Sequence, residues 1–208
     1  TYAVISFLFT ALFYLPLSFI SLRIKDGSSW ENNHEFLNHI GVVIPCHKSA
    51  DEIGDVIKQV LKYIPPQNII VCDNGNYHYP PDNTFEVVKS INKVIKYIFI
   101  KHGHKSRALW TGAHLLPSHC TYILQLDDDT LLSDTMVFDE SHFSNQSNIC
   151  AVAFIRSTIK TSTLTALADF WYKLTDHYGM TQAVLGTRPF VPGECTRGNV
   201  FIATNQSI

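Results

Sequence analysis

The chain has 208 residues, of which 46% are hydrophobic and 12% aromatic, enough for one globular core or for one domain and a membrane segment. The 16 Lys and Arg residues nearly balance the 18 Asp and Glu residues, and no basic stripe runs along the sequence, which argues against nucleic acid as a partner. Five cysteines without a CxxC pair fit neither a disulfide framework nor a zinc site and indicate a reducing compartment.

The first segment, Thr1 to Leu22, contains no charged residue and is dominated by Leu, Ile, Phe, Val and Ala. It is about as long as a helix that crosses a bilayer, so it predicts a transmembrane helix and a membrane location. Arg23 and Lys25 follow directly, and such cations place the next domain on the cytoplasmic side. A cleaved signal peptide is the alternative, although the stretch is long for one and lacks a small-residue cleavage site. The polar residues 23–39 predict a linker.

Residues 40–208 are predicted to form one domain in which apolar runs alternate with segments of helical periodicity. The firmest helix follows the capping-box pattern from Ser49 to Glu52 and continues to Ile64, where Pro65 and Pro66 stop it. The run GNVFIAT near residue 200 resembles a strand. The predicted strands are 40–45, 68–72, 94–100, 122–126 and 149–155, and the other predicted helices are 83–92 and 106–116.

This alternation, with strands that are continuously apolar, predicts an α/β fold with a mostly parallel sheet covered by helices on both faces. Ligands of such folds bind beyond the carboxyl ends of the strands. That rule selects the loops that begin at Pro45, Asp73, Lys101 and Asp127.

The sharpest motif is LDDDT, in which Asp127, Asp128 and Asp129 directly follow the apolar strand YILQL. Adjacent carboxylates repel one another unless a cation or hydrogen-bond donors neutralise them. A hard divalent ion such as Mg or Mn suits carboxylate oxygens and keeps positions open for phosphate. The alternative is a solvated acidic loop or a helix cap, but the position after a buried strand favours a metal site.

Two other strand ends carry polar candidates. Asp73, in VCDNGN, could accept hydrogen bonds from a base or a sugar, or could form an Asx-turn with Gly75. Lys105 and Arg107, in HGHKSRAL, stand near a helix start that could attract phosphate, or could belong to an ordinary basic loop. The absence of a P-loop and of GxGxxG argues against ordinary nucleoside triphosphatases and dinucleotide enzymes.

In combination, VVIPCHKSADEI, IIVCDNGN, HGHKSRAL and LDDDT resemble the family 2 glycosyltransferases, which have the Rossmann-like GT-A fold. Within that family the chain looks most like membrane-bound polysaccharide synthases such as chitin, cellulose and hyaluronan synthases and related fungal enzymes. The resemblance covers about residues 40–155. It implies a metal-dependent, inverting transfer of a sugar from a UDP-sugar donor to a glycan or polysaccharide acceptor.

The resemblance also implies roles for single residues. The loop from Pro45 to Glu52 would contact the uridine, with Pro45, Cys46, His47 and Glu52 as its binding residues, and Asp73 would bind the uracil ring. Lys105 would face the diphosphate.

The acidic run matches the DxD motif of the family. Asp127 and Asp129 occupy the outer positions, and Asp129 would be the closest ligand of a Mn or Mg ion. Asp128 occupies the variable middle position and is a weaker candidate for the donor site.

The chain departs from the pattern after the acidic run. Family 2 enzymes carry their base in a later TED- or GDD-like motif, and processive members add QxxRW, but neither motif is visible. Asp169, Asp176 and Glu194 lack a matching context. We therefore expect donor binding without efficient transfer, with the base beyond residue 208 or lost in an inactive binding protein. A nucleotidyltransferase is a further alternative, but CHKSADEI lacks its Gly-rich basic signature.

Overall fold

A computed structural model of the chain describes residues 32–75, 82–132, 134 and 136–138, and the backbone of 150–152 and 201–204. The chain divides into two compact units, 1–28 with 154–197 and 29–153 with 198–208, and the first unit lies outside the described residues. The predicted transmembrane segment 1–22 belongs to that unit. In the part of the chain that the structure describes, no helix has both the length and the apolar character needed to span a bilayer.

The described helices and strands alternate along the chain as far as residue 125, as the hydrophobic pattern predicts. A short 3-10 turn at Pro66–Asn68 leads into the second strand. The elements are α1 (His34–Asn38), β1 (Ile40–Cys46), α2 (Ile53–Val60), β2 (Ile69–Asp73), α3 (Thr84–Ile91), β3 (Lys96–Phe99), α4 (Lys105–His114), β4 (Tyr122–Gln125), β5 (Cys150–Val152) and β6 (Phe201–Thr204).

The described strands form one sheet in the order β3-β2-β1-β4-β6-β5. β1 pairs in parallel with β2 and β4, and β2 pairs in parallel with β3, while β6 runs antiparallel to both of its neighbours. Every residue of β1 and β2 is buried, which explains why these strands read as unbroken apolar runs. The predicted α/β class with a mostly parallel sheet is confirmed.

Helices cover both faces of this sheet. Val42 and Ile44 of β1 belong to the cluster that α2 and α3 cover, whereas Val43 belongs to the cluster under α4. Gly112 lets α4 lie close to β1, because a Cβ at this position would come within 2.4 Å of Val43 Cγ1. The alternation of side chains along β1 therefore supplies one apolar layer to each face.

The predicted capping box is wrong. Glu52 is the N-cap of α2 without a side-chain hydrogen bond, and the Ser49 hydroxyl donates to Asp128 instead. The helix also ends earlier than predicted, at Val60, because Lys62 N and Tyr63 N donate to carbonyls only three residues back, at 3.1 and 3.0 Å. The backbone thus tightens into a turn before it reaches the prolines.

The end of the predicted linker is helical. α1 begins after Asn33, whose side chain accepts a hydrogen bond from Glu35 N at 3.0 Å. Phe36 and Leu37 are buried in the core, and the Phe36 ring packs edge-on against Tyr122. Packing of the domain therefore starts before Ile40, the residue at which the sequence pattern places it.

Candidate functional site

The order of the strands creates a crevice at one edge of the sheet. The chain steps outward from β1 to β2 and β3, and then returns to the other side of β1 to form β4. The carboxyl ends of β1 and β4 are therefore adjacent where the strand order reverses, and such a switch point is where open α/β sheets bind ligands. Three of the predicted site segments, after β1, after β4 and at the start of α4, meet here.

Lys105 and Asp127 are in direct contact at this edge. Lys105 is the first residue of α4, and His104 precedes it as a cap whose Nδ1 accepts from Ser106 N at 3.3 Å. The Nζ atom of Lys105 lies 2.7 Å from Oδ1 and 2.9 Å from Oδ2 of Asp127. The Asp127 side chain is 14% exposed, whereas the Lys105 side chain is 47% exposed. The contact therefore joins a mostly buried carboxylate to an ammonium group that still reaches solvent.

The acidic run has free capacity for a divalent cation. Asp127 Oδ1 is buried. Although it lies only 2.7 Å from Lys105 Nζ, it accepts no hydrogen bond of good geometry. Asp129 is exposed, and its Oδ1 receives a long hydrogen bond of 3.3 Å from the Thr130 hydroxyl. No group of three or more His, Cys, Asp or Glu residues arranged for a metal occurs among the described residues. Two carboxylates completed by substrate phosphate and water are a common magnesium site, so the residues present fit such an ion.

Asp128 points away from its two neighbours, toward the loop after β1. Its Oδ2 accepts from the Ser49 hydroxyl and lies 3.4 Å from the backbone N of His47. The three aspartates therefore meet three different groups, namely Lys105, Ser49 and Thr130. Separate donors relieve the repulsion that the sequence pattern predicts.

Asp73 ends β2 and is only 1% exposed. Its Oδ1 accepts from Gly75 N at 3.0 Å, which is the Asx-turn that the sequence left open, and its Oδ2 accepts from the Tyr97 hydroxyl at 2.6 Å. Burial and the hydrogen bond to Asp73 raise the pKa of Tyr97 well above its usual range, so the phenol keeps the proton that it donates. The role of Asp73 toward a uracil ring remains a prediction.

The predicted uridine-binding residues after β1 fall into two groups. Pro45 and Cys46 are buried within the strand itself, and burial raises the pKa of the Cys46 thiol far above its usual range. His47 and Glu52 are exposed in the loop that follows. The Cys46 carbonyl accepts from Asn74 N at 2.8 Å, which ties the ends of β1 and β2 together. Only the exposed pair lies open to a ligand through its side chains.

Four residues at this edge were not predicted individually as site residues. Ser49 and Thr84 hydrogen-bond to each other, and Tyr97 bonds to Asp73. Gly103 lies so close to the loop after β2 that a Cβ would come within 1.8 Å of the Asn74 carbonyl oxygen. Ser49 and Gly103 lie in loops at strand ends, which was their available signal, whereas Thr84 and Tyr97 lie within α3 and β3 and carry no such signal.

The family model described as "Glycosyl transferase family 2" matches residues 41–200. No curated protein matches the chain. Among solved structures, the chain is similar to glucosyl-3-phosphoglycerate synthase from Mycobacterium tuberculosis in complex with uridine diphosphate, with 15% identity, a TM-score of 0.53, and coverage of 88% of this chain and 63% of that one. The same enzyme with Mn²⁺ and UDP-glucose gives 14% identity, a TM-score of 0.50, and coverage of 87% and 62%.

A third solved structure, mannosyl-3-phosphoglycerate synthase from Rubrobacter xylanophilus, has 15% identity, a TM-score of 0.47, and coverage of 81% of this chain and 53% of that one. The chain thus spans less than two thirds of the length of each of these three structures. At such low identity the two structures from Mycobacterium tuberculosis show a shared fold.

Proposed function

Since the chain belongs to glycosyl transferase family 2, we propose that it binds a UDP-sugar together with a Mn or Mg ion and serves transfer of the sugar to a glycan or polysaccharide acceptor, with inversion. The contact between Lys105 and Asp127 is the observation that carries the proposal. It brings a cation and a carboxylate together at the switch point of the sheet, where a diphosphate needs positive charge and a metal needs oxygen ligands.

Each side chain has a distinct part in this proposal. The Lys105 ammonium group, at the start of α4, pairs with a phosphate oxygen of the donor in place of Asp127. Asp127 and Asp129 would hold the divalent ion, which would supply positive charge against the departing diphosphate.

The choice of uridine and manganese rests on two kinds of support. The resemblance of the motifs implies a UDP-sugar, and solved structures of glucosyl-3-phosphoglycerate synthase contain UDP, UDP-glucose and Mn²⁺. In this chain His47 and Glu52 would contact the uridine from the loop after β1, and Asp73 would accept from the uracil ring. Both carboxylate oxygens of Asp73 already accept a hydrogen bond, so an N–H of the ring would have to share one of them.

The acceptor and the membrane rest on the sequence alone. We propose a polysaccharide-synthase type of enzyme, anchored by the apolar segment 1–22, with this domain on the cytoplasmic side. None of residues 1–208 is proposed as the general base. A protein that binds the donor without transferring the sugar is the alternative to an active transferase.

Titration calorimetry of the chain with UDP, with and without Mn²⁺, tests donor binding. We expect Mn²⁺ to strengthen binding and Asp129→Ala to weaken it by at least about tenfold in the presence of Mn²⁺, since even partners of metal ligands are worth that much. Asp55→Ala, an exposed aspartate paired with Lys58 on α2, is the matched control and should bind as the wild type does. Absence of UDP binding, or unchanged binding by Asp129→Ala, refutes the proposal. Release of UDP from UDP-sugars then separates a transferase from a binding protein.

A further inference from the structure

A buried chain of hydrogen bonds connects the acidic run to the start of α3. The Ser49 hydroxyl donates to Asp128 Oδ2, and the Ser49 backbone N donates to Thr84 Oγ1 at 3.2 Å. The Thr84 hydroxyl donates to Asp82 Oδ1, which also accepts from Thr84 N at 3.0 Å. We call these four residues, Asp82, Thr84, Ser49 and Asp128, the hydroxyl bridge.

The direction of each bond in the hydroxyl bridge is fixed. Burial alone would raise the pKa of Asp82, but hydrogen bonds from Thr84 and from Ala50 N outweigh it and lower the pKa, so this carboxylate only accepts. Thr84 must then give its proton to Asp82 and use its oxygen to accept from Ser49 N. Ser49 Oγ accepts from His47 N at 3.1 Å, which leaves its own proton for Asp128.

Both hydroxyl residues are inaccessible to solvent. Ser49 is 1% exposed and Thr84 is fully buried, so water cannot replace a lost partner without rearrangement. Ser49 also accepts from Glu52 N and Ile53 N through its carbonyl, at 3.1 and 2.9 Å, which makes it the centre of the loop after β1. Removal of its hydroxyl would therefore leave Asp128 Oδ2 with the longer hydrogen bond of 3.4 Å from His47 N.

The hydroxyl bridge joins three segments at the binding edge of the sheet. Asp128 belongs to the loop after β4, Ser49 to the loop after β1, and Thr84 to the first turn of α3. The bond from Ser49 to Asp128 spans the switch point between β1 and β4. Because Asp128 is the middle residue of the acidic run, a bond that holds its side chain also restrains the loop backbone from which the two neighbouring aspartates project.

We infer that Ser49 and Thr84 are positioning residues, which hold Asp128 toward β1 so that Asp127 and Asp129 face the donor and its metal ion. The inference rests on the proposed function. It assigns Asp128 a role that does not require contact with the ligand. An aspartate at this position supplies a charged acceptor for the buried Ser49 hydroxyl.

Amide hydrogen exchange without ligand is the first test. Thr130 N donates to the Asp127 carbonyl at 3.2 Å within the acidic loop, and Leu126 N donates to the Val43 carbonyl at 3.2 Å within the sheet. In Ser49→Ala we expect faster exchange at Thr130 and unchanged exchange at Leu126. Ser90→Ala is the matched control, because it removes a hydroxyl that bonds to the Val87 carbonyl on the exposed side of α3. Unchanged exchange at Thr130 in Ser49→Ala overturns the inference.

Binding of UDP with Mn²⁺ is the second test. We expect Ser49→Ala to raise the dissociation constant about tenfold, as loss of an outer-shell partner does, and the double variant with Asp128→Ala to bind no more weakly than Asp128→Ala alone. Thr84→Val removes the second hydroxyl at nearly constant shape and should weaken binding, whereas Thr84→Ser keeps the hydroxyl and should not. Additive losses in the double variant, or faster exchange with unchanged affinity, overturn the inference.

The two proposals fail separately. If the wild type binds no nucleotide, the proposed function is refuted, and exchange at Thr130 alone decides whether the hydroxyl bridge holds the acidic loop. If the wild type binds UDP with Mn²⁺ and Ser49→Ala binds it equally well, only the positioning role is refuted. Should Ser49→Ala fail to fold, the comparison of Thr84→Val with Thr84→Ser carries both tests.

Discussion

At the scale of single residues, the acidic run shows how three adjacent carboxylates can share one loop. Asp127 meets an ammonium group, Asp128 a serine hydroxyl and Asp129 a threonine hydroxyl. Among these three aspartates, Asp127 is the one with an opposite charge beside it and the one with a buried oxygen that lacks a well-formed hydrogen bond. The contact therefore has the features of a site that exchanges partners when an anion and a cation arrive together.

Replacement of Lys105 separates binding from stability. We expect Lys105→Ala to weaken UDP binding in the presence of Mn²⁺ and to leave the free energy of unfolding within about 1 kcal/mol of the wild type, because the Lys105 side chain is 47% exposed and water can replace its ammonium group. The loss should shrink as salt is added, since screening weakens the interaction of Lys105 with the diphosphate. Calorimetric titration at two salt concentrations and urea unfolding measure these effects.

Lys58→Ala is the control for this experiment. It breaks the exposed pair of Lys58 and Asp55 on α2, which is 3.1 Å long, and should change neither binding nor stability appreciably. Equal UDP affinity of Lys105→Ala and Lys58→Ala would show that Lys105 does not meet the diphosphate.

At the scale of elements, the sequence predicts what is local and misses what is not. Continuous apolar runs identify the strands to within two residues at most ends, because burial on both faces leaves no polar positions. The pattern from Ser49 to Glu52 also reads correctly as a helix start, yet the hydroxyl serves an aspartate 79 residues further along the chain. A capping box and a long-range acceptor look alike until the loops are brought together in space.

The close contact of Gly103 with the loop after β2 can be tested by substitution. Gly103, before α4, leaves no room for a Cβ against the Asn74 and Gly75 carbonyl oxygens, so Gly103→Ala should push the two loops apart and lower the free energy of unfolding by about 1–3 kcal/mol. Gly54→Ala is the matched control on α2, where the new Cβ would make an ordinary contact of 3.6 Å with Val87. It should raise the free energy of unfolding by about 0.5–1 kcal/mol, because alanine favours helices.

Urea unfolding of both variants measures the difference. If Gly103→Ala is as stable as Gly54→Ala, the loops after β2 and β3 are not packed against each other as described. A loss of stability with intact UDP binding would show that the packing of these loops serves the fold rather than the site.

At the scale of the whole molecule, the described sheet explains why the predicted class is right and why three of the predicted site segments meet at one edge. Strands and helices alternate in the sequence, and parallel strands place their carboxyl ends, with the loops that follow, along one edge. What the sequence does not predict is the strand order, which alone makes β1 and β4 neighbours and so brings Ser49 to Asp128. The antiparallel pairing of β6 with β4 likewise depends on contacts across some 80 residues of chain.

Buried thiols in the core of this sheet make the free energy of unfolding depend on pH in the alkaline range. Burial raises the pKa of Cys72 to about 12, and those of Cys46 and Tyr97 lie higher still. In the unfolded chain a thiol ionises at about 8.5, so above this pH the unfolded state binds fewer protons than the folded state. The contribution of these thiols to stability is therefore constant at neutral pH and below, and falls as the pH rises from about 8.5 toward 12.

Urea unfolding in the presence of a reductant at pH 7.5, 9 and 10 tests this dependence. Each buried thiol should lower the free energy of unfolding by up to about 1.4 kcal/mol per pH unit once its unfolded form ionises. Cys72→Ala removes one such group, so its stability should fall less steeply with pH than that of the wild type, even if the variant is less stable at pH 7.5. Equal slopes would mean that Cys72 ionises in the folded protein as readily as in the unfolded chain, and would contradict its burial on β2 under α4.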